Sequence, residues 1–319
     1  MKTLSRLLHE LSYDPVLTRL FAATPWSTVV DLAASIDDDD VYRERAAIRA
    51  ALTACAVDPL ASRAHVEHQL WCAWRDARWS TGTAEPLEIT VEGLGAIAET
   101  DGSPTLLVTP MTLGLVDALH AISMLRRDRP CLVFGEEVEH PRGAPPGVEL
   151  VSAMASGTVR RIHHAMAARA TLCTYVDFVY AGHASETIEL FGTTRPMSAG
   201  FLSLGARDGT MLLPVVAVRH GEGIHVVAEE PLQVALDHTA SAEDRAATRA
   251  AIALECSDML ERLIRRAPEQ WRLLPTLCAE SPQMARGQVT APQAARETSR
   301  DPRISYVTSP PVRSELSTS

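Results

Sequence analysis

Glycine-rich phosphate loops, clustered metal ligands and paired cysteines are all missing from this chain of 319 residues. No glycine run matches a nucleotide-binding fingerprint, whose spacing lets backbone N–H groups cradle phosphates. No set of His, Cys, Asp and Glu has metal-ligand spacing, so neither a metal nor another cofactor is expected. The six cysteines (Cys55, Cys72, Cys131, Cys173, Cys256 and Cys278) include no CxxC pair. Cys131 and Cys173 sit in the apolar runs CLVF and TLCTYVDF and read as buried thiols; a reducing, cytoplasmic compartment suits this usage. Basic residues are outnumbered, with 30 Lys and Arg against 40 Asp and Glu and a formal net charge of −10. That balance excludes nonspecific nucleic-acid binding and broad adhesion to an anionic membrane. Long apolar runs are missing too. Leu20 to Val30 (LFAATPWSTVV) is too short to span a bilayer and contains Pro25. Lys2 and Arg6 are followed by Leu7, Leu8, His9 and Glu10 rather than by a signal-peptide core. The expectation is a soluble chain with no integral membrane anchor.

What is present is ample core material. Hydrophobic residues make up 46% of the chain and aromatics only 5%, so Ala, Leu and Val do most of the filling. The length suits one large domain or two small ones. The organising stretch is Thr105 to His120, TLLVTPMTLGLVDALH. It reads as a buried strand, a turn at Thr109 and Pro110, and a helix beginning near Leu113. Such a turn places its next side chains at the rim of a sheet, where open α/β sheets bind ligands.

Residues before 40 read as short helices around Pro15 and Pro25, ending in the acidic run Asp37 to Asp40, a solvated helix entrance. Val41 to Trp79 is helical by composition, broken at Pro59, with Val66, Leu70, Trp74 and Arg78 on one face. Trp71, Trp74 and Trp79 are expected in the core. Leu87 to Val91 alternates like a strand and Gly93 to Glu99 like a short helix. Cys131 to Phe134 is another strand, followed by a loop containing Glu136, Glu137, Glu139 and Gly143. A helix is predicted over 153–170, a strand over 171–180 carrying Asp177, a turn over 191–196 and a helix over 197–206. Met211 to Arg219 and Ile224 to Ala228 are partner strands. Ser241 and Asp244 form a capping-box pattern at the start of a long helix to Arg266, and the chain beyond Ser281 reads as a mobile tail. The alternation predicts an α/β fold with a mixed, mostly parallel central sheet flanked by helices. The expected division is an N-terminal helical layer at 1–80, an α/β domain at 81–280 and a tail at 281–319.

Four segments, in order, are similar to the lipid A biosynthesis (lauroyl/myristoyl) acyltransferases of the lysophospholipid acyltransferase-like superfamily. They are VEGLGAIAETDGSPTLLVTPMTLGLVDAL, TLCTYVDF, LFGTTRPMSAGFLSLGARDGTMLLPVVAVRHGEGIHVVAEEPL and MLERLIRRAPEQW. The resemblance spans roughly residues 41–272 and implies a glycerol-3-phosphate acyltransferase-like fold. It also implies general-base acyl transfer from a thioester of acyl carrier protein or coenzyme A. In that family an H-x4-D/E motif supplies the base and the acid that orients it. Alignment on Asp117 puts Thr112 at the base position, and neighbouring registers offer only Met111 or Pro110. The family's N-terminal membrane anchor and the basic ending after PEQW are not matched either; Arg272, Leu273, Leu274 and Pro275 follow instead.

The catalytic candidates are therefore Asp117, Thr112 and His120. Asp117 either orients or deprotonates a substrate group or is a helix-start carboxylate favoured by the macrodipole. Thr112 either hydrogen-bonds the substrate or caps the helix. His120, three residues after Asp117 on the same helical face, is either a replacement base or a packed side chain. Candidate substrate-binding residues are Asp177, His183, Gly192, Arg195 and Arg219, the two arginines suiting a phosphopantetheine phosphate or a substrate carboxylate. The expected function is a soluble acyltransferase-like enzyme acting on an acyl or aminoacyl thioester. It would transfer to a small-molecule amine or hydroxyl acceptor, or release or cyclise a tethered product, in a specialised biosynthetic pathway. The alternatives are ring formation or proton transfer at Asp117 on the same scaffold, or a noncatalytic homologue that binds a carrier protein or lipid.

Overall fold

The computed structural model describes residues 4–35, 38–125, 129–135, 141–152, 155–179, 185–205, 209–233 and 241–278, all inside one compact unit, Met1–Gly287. Asp37, Glu136, Glu137, Glu139, His183 and the tail from 281 lie outside them.

Five helices come first: α1 (Leu4–Tyr13), α2 (Pro15–Ala23), α3 (Trp26–Ser35), α4 (Asp38–Ala54) and α5 (Ser62–Thr81). Their boundaries follow local chemistry. Asp14 accepts the Val16 and Leu17 N–H groups at the start of α2, with Pro15 in the first turn. Pro59 opens a short 3-10 turn between α4 and α5, and α5 stops at Gly82, whose φ of 75° is left-handed. Helices α1, α2, α3 and α4 pack around α5, and α5 in turn touches α7 (Leu115–Leu125) and the 3-10 turn Pro268–Gln270. Val66, Leu70, Trp71, Trp74 and Trp79 of α5 are buried, as the helical spacing predicts. Helix α5 thus ties the helical layer to the end of the sheet.

The strands are β1 (Ile89–Glu92), β2 (Thr105–Thr109), β3 (Cys131–Gly135), β4 (Val148–Ser152), β5 (Thr171–Tyr175), β6 (Ser185–Leu190), β7 (Thr193–Ser198), β8 (Met211–His220), β9 (Gly223–Ala228) and β10 (Leu232–Gln233). The main sheet runs β1-β9-β8-β2-β5-β3-β4, with β10 also pairing β8. Strand β2 is central and buried at all five positions, parallel to β5 and β8. Parallel pairs also join β1 to β9, β3 to β4 and β3 to β5, while β9 and β10 run antiparallel to β8. The fold is therefore α/β with a mixed, mostly parallel central sheet flanked by helices. After β2 the chain passes through α7 to β3 and β4, returns through α8 (Thr158–Ala167) to β5, and then crosses to β8 on the other side of β2. The carboxyl end of β2 is thus the point where the winding reverses, the usual place for a ligand crevice in such sheets.

Several expectations shift. The segment 191–196 is not a single turn: β6 and β7 form a separate antiparallel hairpin. It turns at Phe191 and Gly192, both with positive φ. Pro196 and the buried Arg195 hide the alternation of β7. The following helix, α9, begins at Ala199. The helix predicted over 153–170 is trimmed to α8, and β4 forms where no element was expected. Cys131 and Cys173 are buried, and α10 (Ala242–Ile264) opens with both halves of the Ser241–Asp244 capping box.

Gly93 joins β1 to α6 (Leu94–Glu99) at φ 87°, and an added Cβ would lie 2.0 Å from the Ala228 carbonyl oxygen. Gly93→Ala is expected to destabilise the protein by about 2 kcal/mol or more, from backbone strain plus displacement of β9. Urea unfolding checks this, and an unchanged midpoint would contradict it.

Candidate functional site

The turn between β2 and α7 brings five residues, Pro110 to Gly114, to the rim, and its main-chain groups must find partners there. They find them on two remote segments. His68 Nε2 of α5 donates to the Thr112 carbonyl at 2.6 Å. The Arg272 N–H donates to the Met111 carbonyl at 2.8 Å, and Arg272 Nη1 to the Leu113 carbonyl at 3.2 Å. The Asp76 carboxylate accepts the Leu115 N–H at the first residue of α7. It lies so close to Gly114 that a Cβ there would be 2.6 Å from Asp76 Oδ1. These bonds are why α7 begins at Leu115 rather than near Leu113: the preceding carbonyls are committed outside the helix.

Thr112 sits at the position the resemblance assigns to the base. It is buried, and its hydroxyl donates to the Ala217 carbonyl of β8 at 2.5 Å, which ties the turn to the neighbouring strand. Asp117 lies in the first turn of α7 and is 1% exposed. Arg75 grips it in bidentate fashion, Nε to Oδ2 at 2.8 Å and Nη2 to Oδ1 at 2.7 Å, and Trp79 Nε1 adds a bond to Oδ1 at 2.9 Å. Both oxygens are occupied. Such a buried fork holds geometry well, but it leaves the carboxylate no oxygen without a donor. His120 stacks on Trp79 with ring centroids 5.2 Å apart, and its Nε2 meets the Gly143 carbonyl at 2.9 Å. The structure therefore places Thr112 in the β2–α7 turn and Asp117 in the first turn of α7, with His120 directed to Trp79 and Gly143.

Asp177 follows β5 at the same rim and is 7% exposed. Its Oδ2 accepts the Met111 N–H at 3.1 Å and Trp271 Nε1 at 2.7 Å. Its Oδ1 is buried and has no hydrogen-bond partner. Burial raises the Asp177 pKa, opposed by the bonds from Trp271 and Met111 and by the charge of Arg195. Arg195, on β7, is buried and donates to the Thr276 carbonyl and hydroxyl; burial lowers its pKa. Arg219, near the end of β8, lies between Trp26 and Trp71, its guanidinium 5.2 Å from each ring, with Glu67 Oε1 at 3.5 Å. Its main chain is clasped by the Gln270 side chain, which accepts from the Arg219 N–H and donates to its carbonyl. Gly192 is exposed at the tip of the β6–β7 hairpin. Asp177, Thr112 and Asp117 thus meet around the β2–α7 turn, while His183 lies outside the described residues.

Reading the sequence missed the α5 partners His68, Arg75 and Asp76 and the polar role of Trp79. The available signal was polar residues at core-facing helical spacing: His68, Cys72, Arg75 and Trp79 fall at i, i+4, i+7 and i+11. Burial makes the two histidines poor bases, lowering His65 to about 4 and His68 to about 3. Asp76 moves the other way: burial raises it to about 6, with Arg272 opposing. The thiols of Cys55, Cys72 and Cys256 are pushed up to about 12 by burial, so none is a ready nucleophile. Among the described residues no group of three or more His, Cys, Asp or Glu is placed to hold a metal, and no helix is long and apolar enough to cross a membrane.

Under the turn lies a small apolar pocket with a free volume of about 20 Å³. Thr109, Pro110, Thr112 and Leu113 form one wall, Ala118, Ala121 and Ile122 of α7 another, and Tyr175 and Ala217 stand near its strand ends. It suits an uncharged group that reaches the sheet rim, since its lining offers little polar surface to compensate a buried charge. No protein-family model matches the chain, and no curated protein sequence matches it.

Arg75→Met strands Asp117 as a buried charge with only Trp79 for company. The expected loss is about 3–5 kcal/mol of stability, read by chemical denaturation; a loss below 1 kcal/mol would mean water replaces the guanidinium. A second expectation concerns pH. The Asp76 pKa is raised in the folded state, so its contribution to stability is full below about 3.8 and is lost as pH rises through about 6. Asp76→Asn removes that dependence. The stability of the variant relative to wild type should therefore rise between pH 4 and pH 7, roughly the window set by the two pKa values. A pH-independent difference would contradict the shift.

Proposed function

We propose that this chain is an acyltransferase-like enzyme acting on an acyl or aminoacyl thioester of a carrier protein or coenzyme A. It passes the acyl group to an amine or hydroxyl of a small-molecule acceptor, or releases or cyclises the tethered product, as a soluble cytoplasmic enzyme of a specialised biosynthetic pathway. The observation that carries the reading is the apolar pocket at the carboxyl end of β2, walled by the turn whose sequence resembles the acyltransferase motif. A buried methylene is worth about 0.8 kcal/mol. The free volume of about 20 Å³ is well below that of ordinary ligand sites, so a short acyl chain gains that energy only as α7 and the turn move apart to admit it. The meeting of remote segments supports the same reading. The turn, Asp177 after β5 and Trp271 are bonded to one another, and the charge of Arg195 acts on Asp177. Each belongs to a segment similar to the same family, as expected of a glycerol-3-phosphate acyltransferase-like fold.

The loss of a histidine need not abolish acyl transfer. An amine is intrinsically more nucleophilic than a hydroxyl, and holding it in line with the thioester carbonyl supplies much of the barrier reduction. A second reading, a noncatalytic homologue that binds an acylated carrier or a lipid, is favoured by the occupancy of Asp117 and Thr112. Ring formation or proton transfer at Asp117 requires the carboxylate to leave Arg75 and Trp79 first, which the geometry disfavours.

Mass spectrometry of the protein with acyl-loaded carrier protein or acyl-coenzyme A and a panel of amines and alcohols tests the proposal. Acyl transfer above the buffer rate is expected, with Ala121→Leu shifting the preferred chain length down by one or more methylenes. Binding without turnover favours the second reading, and neither binding nor turnover overturns both.

A further inference from the structure

The carboxylate that the rim leaves available is Asp177, not Asp117. Asp117 has donors on both oxygens. Asp177 has donors on one oxygen only, and its buried Oδ1 has none. An unpaired carboxylate oxygen inside a protein is costly, and native structures keep few of them without a role. Its placement is specific. Oδ2 is bonded to the N–H of Met111, the residue immediately before Thr112 at the vacated base position. Trp271 donates to the same oxygen, so both donors hold Oδ2 and Oδ1 is left without one. Tyr175, two residues earlier, lines the apolar pocket.

We propose that Asp177 Oδ1 is the general base that accepts the proton of the attacking acceptor group. The inference rests on the thioester-transfer reading above. The acceptor nitrogen or oxygen forms a bond to the thioester carbonyl carbon as its proton passes to Asp177 Oδ1. The C–S bond then breaks, and the thiolate leaves with the proton returned from Asp177. Charge and atoms balance without a cofactor or second reactant. Burial favours the protonated form of Asp177, which strengthens it as a proton acceptor relative to an exposed aspartate. Trp271 and the turn amide position the carboxylate, a task the family's motif gives to the acid beside its histidine.

Asp177→Asn tests this while keeping shape, since the asparagine oxygen can still accept from Met111 and Trp271. With hexanoyl-coenzyme A as donor, ethanolamine is an acceptor that is an ammonium ion at neutral pH and must shed that proton before it can attack, besides the one lost in the transfer. Methoxyamine, unprotonated and strongly nucleophilic at neutral pH, needs far less assistance. The expected result is a roughly 10²–10⁴-fold drop in ethanolamine transfer, with methoxyamine transfer within a few-fold of wild type and an unchanged melting temperature. Equal losses with both acceptors, or undiminished ethanolamine transfer, would overturn the assignment while leaving the enzymatic reading intact. A wild-type protein that transfers to neither acceptor overturns the enzymatic reading and this assignment with it.

Discussion

A turn that ends a fully buried strand has polar main-chain groups to satisfy and no water to do it with. Here that constraint falls on Met111, Thr112 and Leu113, and the rest of the rim is arranged around meeting it. Helix α5 supplies His68 to one carbonyl and Asp76 to the Leu115 N–H. The segment after Pro268 supplies Arg272 to two more carbonyls and Trp271 to the carboxylate that holds the Met111 N–H. The N-terminal helices and the last described turn therefore belong to the site as much as the sheet does. A Cβ at Gly114 would press on the Asp76 carboxylate and shift it from the Leu115 N–H.

Much of this frame was legible in the sequence. The strand β2, its turn, the β8–β9 pair and the capping box of α10 came from apolar runs, from period-two alternation and from a Ser-x-x-Asp pattern, all local signals. What was not legible depended on pairing at long range. The β6–β7 hairpin was concealed by Arg195 and Pro196, which break the alternation because that arginine is buried against Thr276 instead of facing solvent. Asp117 was visible as an acidic residue at a helix start. Its partners Arg75 and Trp79 lie some forty residues away on another helix, and no local pattern announces a salt bridge of that kind. The orphaned oxygen of Asp177 was invisible for the same reason: the sequence shows a carboxylate near a strand end, and only the fold shows which of its oxygens is spoken for.

Two carboxylates thus stand in different surroundings. Asp117 is the anion of a buried, bidentate ion pair that joins α5 to α7. The carboxylate after β5, held by Trp271 and by the turn itself, keeps one buried oxygen without a donor. A carboxylate in so dry a place needs a counter-charge; Arg75 supplies it, and its guanidinium fork fits the carboxylate better than a lysine would.

The central claim is that Asp117 serves structure while the chemistry belongs to the opposite side of the turn. The double variant Arg75→Gln/Asp117→Asn removes both charges together and leaves a neutral, hydrogen-bonding pair, which avoids stranding either partner. Its turnover of an acyl thioester, measured against wild type on protein shown to be folded, is the most direct test. Turnover within a few-fold of wild type is expected. A folded double variant whose turnover is lost would put Asp117 back in the chemistry and contradict it.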